Sequence, residues 1–343
     1  MIQKLTAILF ATLLLLPGSI LANDPLAEWQ PKFDPRTAEH TYLLSCVGHP
    51  AIEGARVGFR IRDRVWEETN GRLYVDYRPM SQLGGEMDVI GKLRMGAVHG
   101  MMSSSVAAPN ISPRLGLVNL PFLVGSFEQL QQFRNDPDLF EEYGAEALRS
   151  GIRVVDFTAY GGYGWATRTP VTSLNEARGV IFRIAQAPVN IDMYRAWGLQ
   201  FTVMPWPDVP QALQTGVISG LDHTPTVVST GNFFNTAKYY TQIDYAQGLY
   251  IHLINERWLQ RLPADLRDTL LRVITEESAR ARLAGKEQDQ REIAKSEAAG
   301  VTFYRLSPED VTTMKEQSEP IIRQWEERVG ADFLQRVRER LDN

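Results

Sequence analysis

Leu93-Arg94-Met95-Gly96-Ala97-Val98-His99-Gly100 and Leu213-Gln214-Thr215-Gly216-Val217-Ile218-Ser219-Gly220 carry a leucine and two glycines at the same spacing, 120 residues apart. Each reads as the end of a helix, a glycine cap and the start of a short strand, because glycine enters the left-handed conformation that closes a helix without a Cβ clash. A polar cluster follows each: Ser103-Ser104-Ser105 in the first, Asp222-His223-Thr224 in the second. Two similarly built α/β lobes, each aiming a strand end at a shared cleft, would carry this pattern. The alternative is ordinary α/β punctuation met twice.

The flanking sequence fits α/β lobes. Tyr42-Leu43-Leu44 reads as a first strand, 55–69 as a helix with one wet face ending at Asn70-Gly71, and 73–77 as a second strand. That order implies a parallel α/β layer. A helix begins near Glu86. Residues 128–150 read as helical, 153–157 as a strand, and Gly161-Gly162-Tyr163-Gly164 as a tight passage. Strands at 180–184 and 201–204 flank a helix at 190–197. Residues 249–255 form a further strand that could return to the first lobe. Residues 263–299 are almost continuously helical, with Gly285 as a soft spot, and 308–329 form another helix.

Lys4 followed by an apolar run from Leu5 to Leu16, then Pro17-Gly18-Ser19 and Ala22, has the form of a cleaved secretory leader at 1–22. The run is shorter than the roughly 20 residues a spanning helix needs. An extended, proline-punctuated arm is expected at 23–40. With 44% hydrophobic and 22% charged residues the chain is globular rather than disordered, and its length exceeds what one core fills. The net charge of -5, with no basic run, argues against nucleic acid and anionic membrane as partners. Cys46 is the only cysteine, so no internal disulfide exists, and it reads as a small buried residue.

Few motifs of chemistry are present. The sequence lacks G-x-S-x-G, G-x-x-x-x-G-K-[ST] and H-E-x-x-H. Gly162 and Gly164 begin a dinucleotide-type loop, but Thr167 replaces its third glycine. His40, His49, His99, His223 and His252 have no metal-ligand spacing, and no carboxylates are paired in an apolar setting. No cofactor and no metal are expected. Arg183 stands out because Val180-Ile181-Phe182-Arg183-Ile184 is an apolar strand, where a guanidinium is costly unless paired. Its planar fork matches a carboxylate two bonds at a time. A structural ion pair is the competing role.

Thr169-Pro170-Val171-Thr172-Ser173-Leu174-Asn175-Glu176-Ala177-Arg178-Gly179-Val180-Ile181-Phe182-Arg183 and Met204-Pro205-Trp206-Pro207-Asp208-Val209-Pro210-Gln211-Ala212-Leu213-Gln214-Thr215-Gly216-Val217-Ile218-Ser219-Gly220 resemble the extracytoplasmic solute receptors of tripartite ATP-independent periplasmic (TRAP) transporters, the dicarboxylate-receptor-type family. Gln82-Leu83-Gly84-Gly85-Glu86 and Asn119-Leu120-Pro121-Phe122-Leu123 also match. The order holds from about Tyr42 to about Val329. The resemblance implies an α/β periplasmic-binding-protein fold of two lobes, with a ligand cleft between them and a long helix in the C-terminal half spanning both. Lobe I is expected at 41–160 plus 249–288. Lobe II is expected at 161–248 plus 289–343, its last helices packing across both.

The implied function is that of a periplasmic receptor, not an enzyme. It binds a small carboxylate, closes its lobes around it, and delivers it to small and large integral membrane subunits for uptake driven by an ion gradient. The chain is expected as a monomer or a homodimer. By the same resemblance Arg183 pairs with the ligand carboxylate. Trp206, His223, Tyr163, Glu86 and Ser104 line the pocket, with Gln186 a further candidate. Tyr163, Trp165 and Trp206 suggest aromatic walls. Sialic-acid-type members carry a second ligand arginine twenty positions before the first, where this chain has Tyr163, and Arg168 is out of register. One ligand carboxylate is therefore expected: a hydroxy, keto, sugar or aromatic monocarboxylate. The alternatives are a C4-dicarboxylate receptor and, from other classes, an exported enzyme acting on a carboxylated substrate or a ligand sensor.

Overall fold

The computed structural model describes residues 26–341. The leader expected at 1–22 lies outside the described residues. The chain divides into two units after Asp34. The described part of the first holds one 3₁₀ turn at Ala27–Trp29. The second opens with another at Pro35–Thr37, so the arm expected at 23–40 contains turns rather than running extended.

The first elements are β1 (His40–Cys46), α1 (Glu53–Glu68), β2 (Leu73–Arg78), α2 (Glu86–Met95) and β3 (Gly100–Ser104). Next come α3 (Phe127–Asn135), α4 (Pro137–Arg149) and the long strand β4 (Ile152–Thr167). The chain continues through α5 (Leu174–Ala177), β5 (Ile181–Ile184), α6 (Pro188–Ala196), β6 (Gln200–Val203), α7 (Val209–Thr215), β7 (Gly220–His223) and α8 (Pro225–Thr230). It ends with β8 (Tyr239–Asn255), α9 (Glu256–Leu259), α10 (Ala264–Ala298), β9 (Thr302–Arg305), α11 (Pro308–Val329) and α12 (Ala331–Leu341).

The two glycine caps read from the sequence are in place. Gly96 closes α2 at φ 77° and Gly216 closes α7 at φ 82°, both left-handed. Asn70 and Gly71, at φ 52° and 77°, end α1 in the same way. The helix expected at 128–150 is two helices. The Asp136 side chain accepts from the Leu139 N–H at 3.0 Å, and Pro137 opens α4. A proline disfavours helical backbone in the residue before it, so α3 stops there.

Among the described residues nine strands form one sheet in the order β2-β1-β3-β8-β4-β7-β5-β6, with β9 beside β8. Its two ends are built alike. β1 pairs in parallel with β2 and β3, and β3 runs antiparallel to β8. β5 pairs in parallel with β6 and β7, and β7 runs antiparallel to β4. β4 and β8 pair with each other along most of their length, from Ile152↔Asn255 to Thr167↔Tyr239. Two short strands were expected at 153–157 and 249–255. They are the ends of strands 16 and 17 residues long. The passage Gly161–Gly164 lies inside β4, where the register shifts between Ala159, Gly162 and Gly164. A bulge of this kind kinks a strand without ending it.

Helix α10 has 35 residues, about 50 Å at 1.5 Å per residue. It lies so close to β4 that a Cβ on Gly285 would sit 2.2 Å from the Ala159 carbonyl oxygen. One core cluster joins Leu93, Met101, Phe157 and Ile251 of the first half to Trp325, Phe333 and Val337 of α11 and α12. A second joins Phe182, Tyr194 and Trp197 of the other half to Met314 of α11, so α11 contributes to both. Cys46 is fully buried, and burial pushes its thiol up to about 12.

Candidate functional site: a buried cation beside two carboxylates

The ends of β3, β5 and β7 and the start of α2 meet at a cavity of about 260 Å³. Strands that finish with polar residues after an apolar run deliver those residues to a common rim. Arg183, the third residue of β5, is 6% exposed. Its Nε and Nη2 donate to the Met204 carbonyl oxygen at 3.2 and 3.0 Å. Its guanidinium lies over the Trp206 ring, 5.3 Å from the centroid. No carboxylate stands within ion-pair distance of Arg183 among the described residues, so the structural ion pair considered from the sequence is not found there. Burial lowers its pKa to about 10, against the attraction of Glu86 and then of Tyr163 and Asp222. It remains a cation at neutral pH.

Trp206 follows Pro205 in a 3₁₀ turn and makes edge contacts with His223 and Phe233 at 5.0 and 5.4 Å. His223 ends β7. Its Nδ1 accepts from the Thr224 N–H at 3.0 Å, which leaves the proton of a neutral ring on Nε2. Burial, then the charge of Arg183, lowers its pKa to about 3. Tyr163 stacks on His223 at 5.6 Å and places its hydroxyl 3.3 Å from that of Tyr160.

On the opposite side Glu86 opens α2 after the Leu83-Gly84-Gly85 turn. Its two oxygens accept from the Ser104 N–H at 2.7 Å and the Ser104 hydroxyl at 2.8 Å. Burial raises its pKa, while the Ser104 bonds and the charge of Arg183 oppose the shift. Ser104 ends β3, so a single hydrogen-bonded pair joins the strand to the helix.

Six of the seven residues singled out from the sequence line this cavity: Arg183, Trp206, His223, Tyr163, Glu86 and Ser104. Gln186 does not. The chain leaves β5 and turns, with the Ala187 N–H bonded to the Ala185 carbonyl at 2.8 Å, and this turn puts Gln186 on the surface. Trp165 is fully buried in the core, where its indole N–H donates to Tyr194 at 2.9 Å, and does not line the cavity. Sequence reasoning passed over Asn190, Tyr160 and Tyr250, and it placed Asp222 in a polar cluster at a strand end without choosing it as a site residue; all four line the cavity. Asp222 is 4% exposed. Its Oδ2 accepts from the Tyr245 hydroxyl at 2.6 Å and from Asn190 Nδ2 at 3.3 Å, and burial pushes its pKa up to about 7. A carboxylate at the end of the apolar run Val217-Ile218…Leu221 was the available signal. Among the described residues no group of three His, Cys, Asp or Glu is placed to hold a metal ion.

The arrangement is one of binding: a fixed cation, a neutral imidazole donor, carboxylate acceptors and aromatic walls. Residues 50–328 match the family of bacterial extracellular solute-binding proteins, family 7. The chain belongs to that family. The resemblance to TRAP solute receptors read from the sequence is thereby borne out. The C4-dicarboxylate-binding periplasmic protein DctP of Rhodobacter capsulatus is 27% identical over 277 residues, 79% of this chain and 81% of that one. The 2,3-diketo-L-gulonate-binding periplasmic protein YiaO of Escherichia coli K12 is 26% identical over 246 residues, 71% and 74% of the two chains. A TRAP periplasmic solute-binding protein from Shewanella oneidensis, solved with bound succinate, superposes with a TM-score of 0.82 at 20% identity, covering 88% of this chain and 99% of its own. One from Xanthobacter autotrophicus, solved with β-D-galacturonate, gives 0.81 at 20% identity, with 87% and 99% covered. The fold is that of the two-lobed TRAP receptors, and α10 is its long helix. Among the described residues no helix is long and apolar enough to cross a membrane.

Proposed function

We propose that this family 7 protein is the periplasmic receptor of a TRAP transporter. It captures a small organic monocarboxylate on Arg183 and passes it to two membrane subunits without transforming it. The observation that carries this reading is the state of Arg183: buried, aligned by the Met204 carbonyl and stacked on Trp206, with no carboxylate of the described residues in ion-pair reach. A buried cation left in this way is strongly destabilising unless an anion completes it. Relatives named for C4-dicarboxylates and diketogulonate support a carboxylate ligand. Trp206, His223, Tyr163, Glu86 and Ser104 are the proposed further contacts. They come from both ends of the sheet, so a ligand touching all of them favours a closed arrangement of the lobes expected at 41–160 plus 249–288 and 161–248 plus 289–343.

A single ligand carboxylate is favoured because, among the described residues, Arg183 is the one cation in the cavity lining. The second reading, a C4-dicarboxylate receptor, is favoured by the Rhodobacter relative. The test is a thermal-shift screen of protein that has been unfolded and refolded to remove carried-over ligand, against organic, sugar and amino acids. Ligands that bind only the folded state raise the melting temperature by mass action. Arg183→Ala should lose every such shift while its own melting curve stays cooperative. Unchanged affinity in that variant would remove Arg183 from the site.

A further inference from the structure

If Arg183 holds the ligand carboxylate, as proposed above, the acidic side chains in a largely apolar lining are Glu86 and Asp222. Glu86 and Asp222 face one guanidinium in the same cavity, and His223 is neutral. Glu86 already receives two donors from Ser104. Asp222 is different. Its hydrogen bonds from Tyr245 and Asn190 both end on Oδ2, while Oδ1 is buried and accepts nothing. The Tyr194 hydroxyl, bonded to the Trp165 N–H at 2.9 Å, is near enough to favour the charged form of Asp222 but makes no hydrogen bond of acceptable geometry to Oδ1. Anchoring β7 to α6 and β8 accounts for Oδ2 and leaves Oδ1 unused. A carboxylate oxygen is an acceptor only, so its missing partner is an O–H or N–H.

We infer that Asp222 is a ligand contact whose Oδ1 receives a hydroxyl or ammonium proton, so the ligand is a hydroxy- or amino-monocarboxylate rather than a dicarboxylate or a plain keto acid. The carboxylate lies on Arg183 and the donor-bearing carbon faces β7. A second ligand carboxylate would add a fourth negative charge, beside Glu86, Asp222 and the first carboxylate, to a cavity lining with one arginine. A keto oxygen would set acceptor against acceptor.

The local hydrogen bonds make Asp222→Asn a polarity switch. Tyr245 and Asn190 both donate, so they hold the amide oxygen where Oδ2 was, and the NH₂ group takes the place of Oδ1. The experiment measures Kd of refolded wild type and of this variant for matched acids. The probes are lactate, pyruvate and propionate; mandelate, phenylglyoxylate and phenylacetate; alanine and phenylglycine; and succinate. Wild type should prefer the hydroxy or amino member of its best-bound set by about tenfold or more over the keto and unsubstituted members, and over succinate. In the variant that preference should vanish or reverse toward the keto acid. Hydroxy against amino then tells which donor is used. Equal binding within sets, or tighter binding of succinate or the keto acids by wild type, overturns the inference and leaves the Arg183 reading standing. Loss of all binding in Arg183→Ala, run in parallel, verifies that reading. If wild type binds none of these acids but binds keto or unsubstituted acids in the wider screen above, the inference alone falls; if it binds no carboxylate in either, both fall. Should Asp222→Asn not fold, the wild-type ranking alone decides.

Discussion

At the scale of the residue, the cavity lining includes a carboxyl that burial brings to neutrality. Asp222 carries a pKa of about 7 because burial disfavours its charge, although Tyr245, Asn190 and Arg183 oppose the shift. A ligand donor on Oδ1 stabilises the ionised form, so binding releases the proton that Asp222 holds below pH 7. By linkage, affinity for a hydroxy or amino acid then rises with pH, by up to about tenfold per unit, and levels off above 7. A ligand acceptor would take up a proton and reverse the slope. His223, near 3, stays neutral throughout, and the surrounding tyrosines Tyr163, Tyr194, Tyr240 and Tyr245 are all raised further from neutrality. Glu86 is also raised, so calorimetry in buffers of different ionisation heat should compare wild type with Asp222→Asn to isolate the Asp222 proton. Arg183 was legible because a cation in an apolar strand announces itself. Asp222 was not, because its meaning depends on Asn190 and Tyr245, 32 and 23 residues distant. Gln186 was carried over from the resemblance, three residues past Arg183, and it lies beyond the end of β5, where the chain turns to the surface.

At the scale of the element, Gly285 was read as a weak point in a long helix, and it is instead a point of contact. The Ala159 carbonyl occupies the space a side chain would need, so α10 and β4 approach each other only because residue 285 has no Cβ. Gly285→Ala should therefore destabilise the protein by about 1–3 kcal/mol in urea unfolding, although alanine is the better helix former. Leu283→Ala, at a position 65% exposed, should change stability by less than about 0.5 kcal/mol. Equal effects would mean that the helix yields at this point. The caps at Gly96 and Gly216 were legible because the signal is local. The full length of β4 and β8 was hidden because glycines that usually end a strand here only bend it.

At the scale of the whole molecule, the paired motifs at 93–100 and 213–220 correctly implied two similar halves. They did not reveal that one sheet joins them. Since β4 and β8 each run through both, and α10 packs along β4, the described second unit should melt in a single calorimetric transition, with calorimetric and van't Hoff enthalpies equal. Two resolved transitions would mean that the halves unfold independently.

The pairing of β3 with β8 also sets an order of events. Gly100 finds its partner in Ile254, and Ser104 in Tyr250. Until the chain has been made at least that far, β3 has an open edge and its half of the sheet lacks the strand that completes it. Contacts so distant in sequence are slow to form, because loop closure must precede any gain from pairing. More than two thirds of the polypeptide must therefore be synthesised before either half can reach its final state. The emerging chain stays pliable for most of its synthesis and commits to structure late.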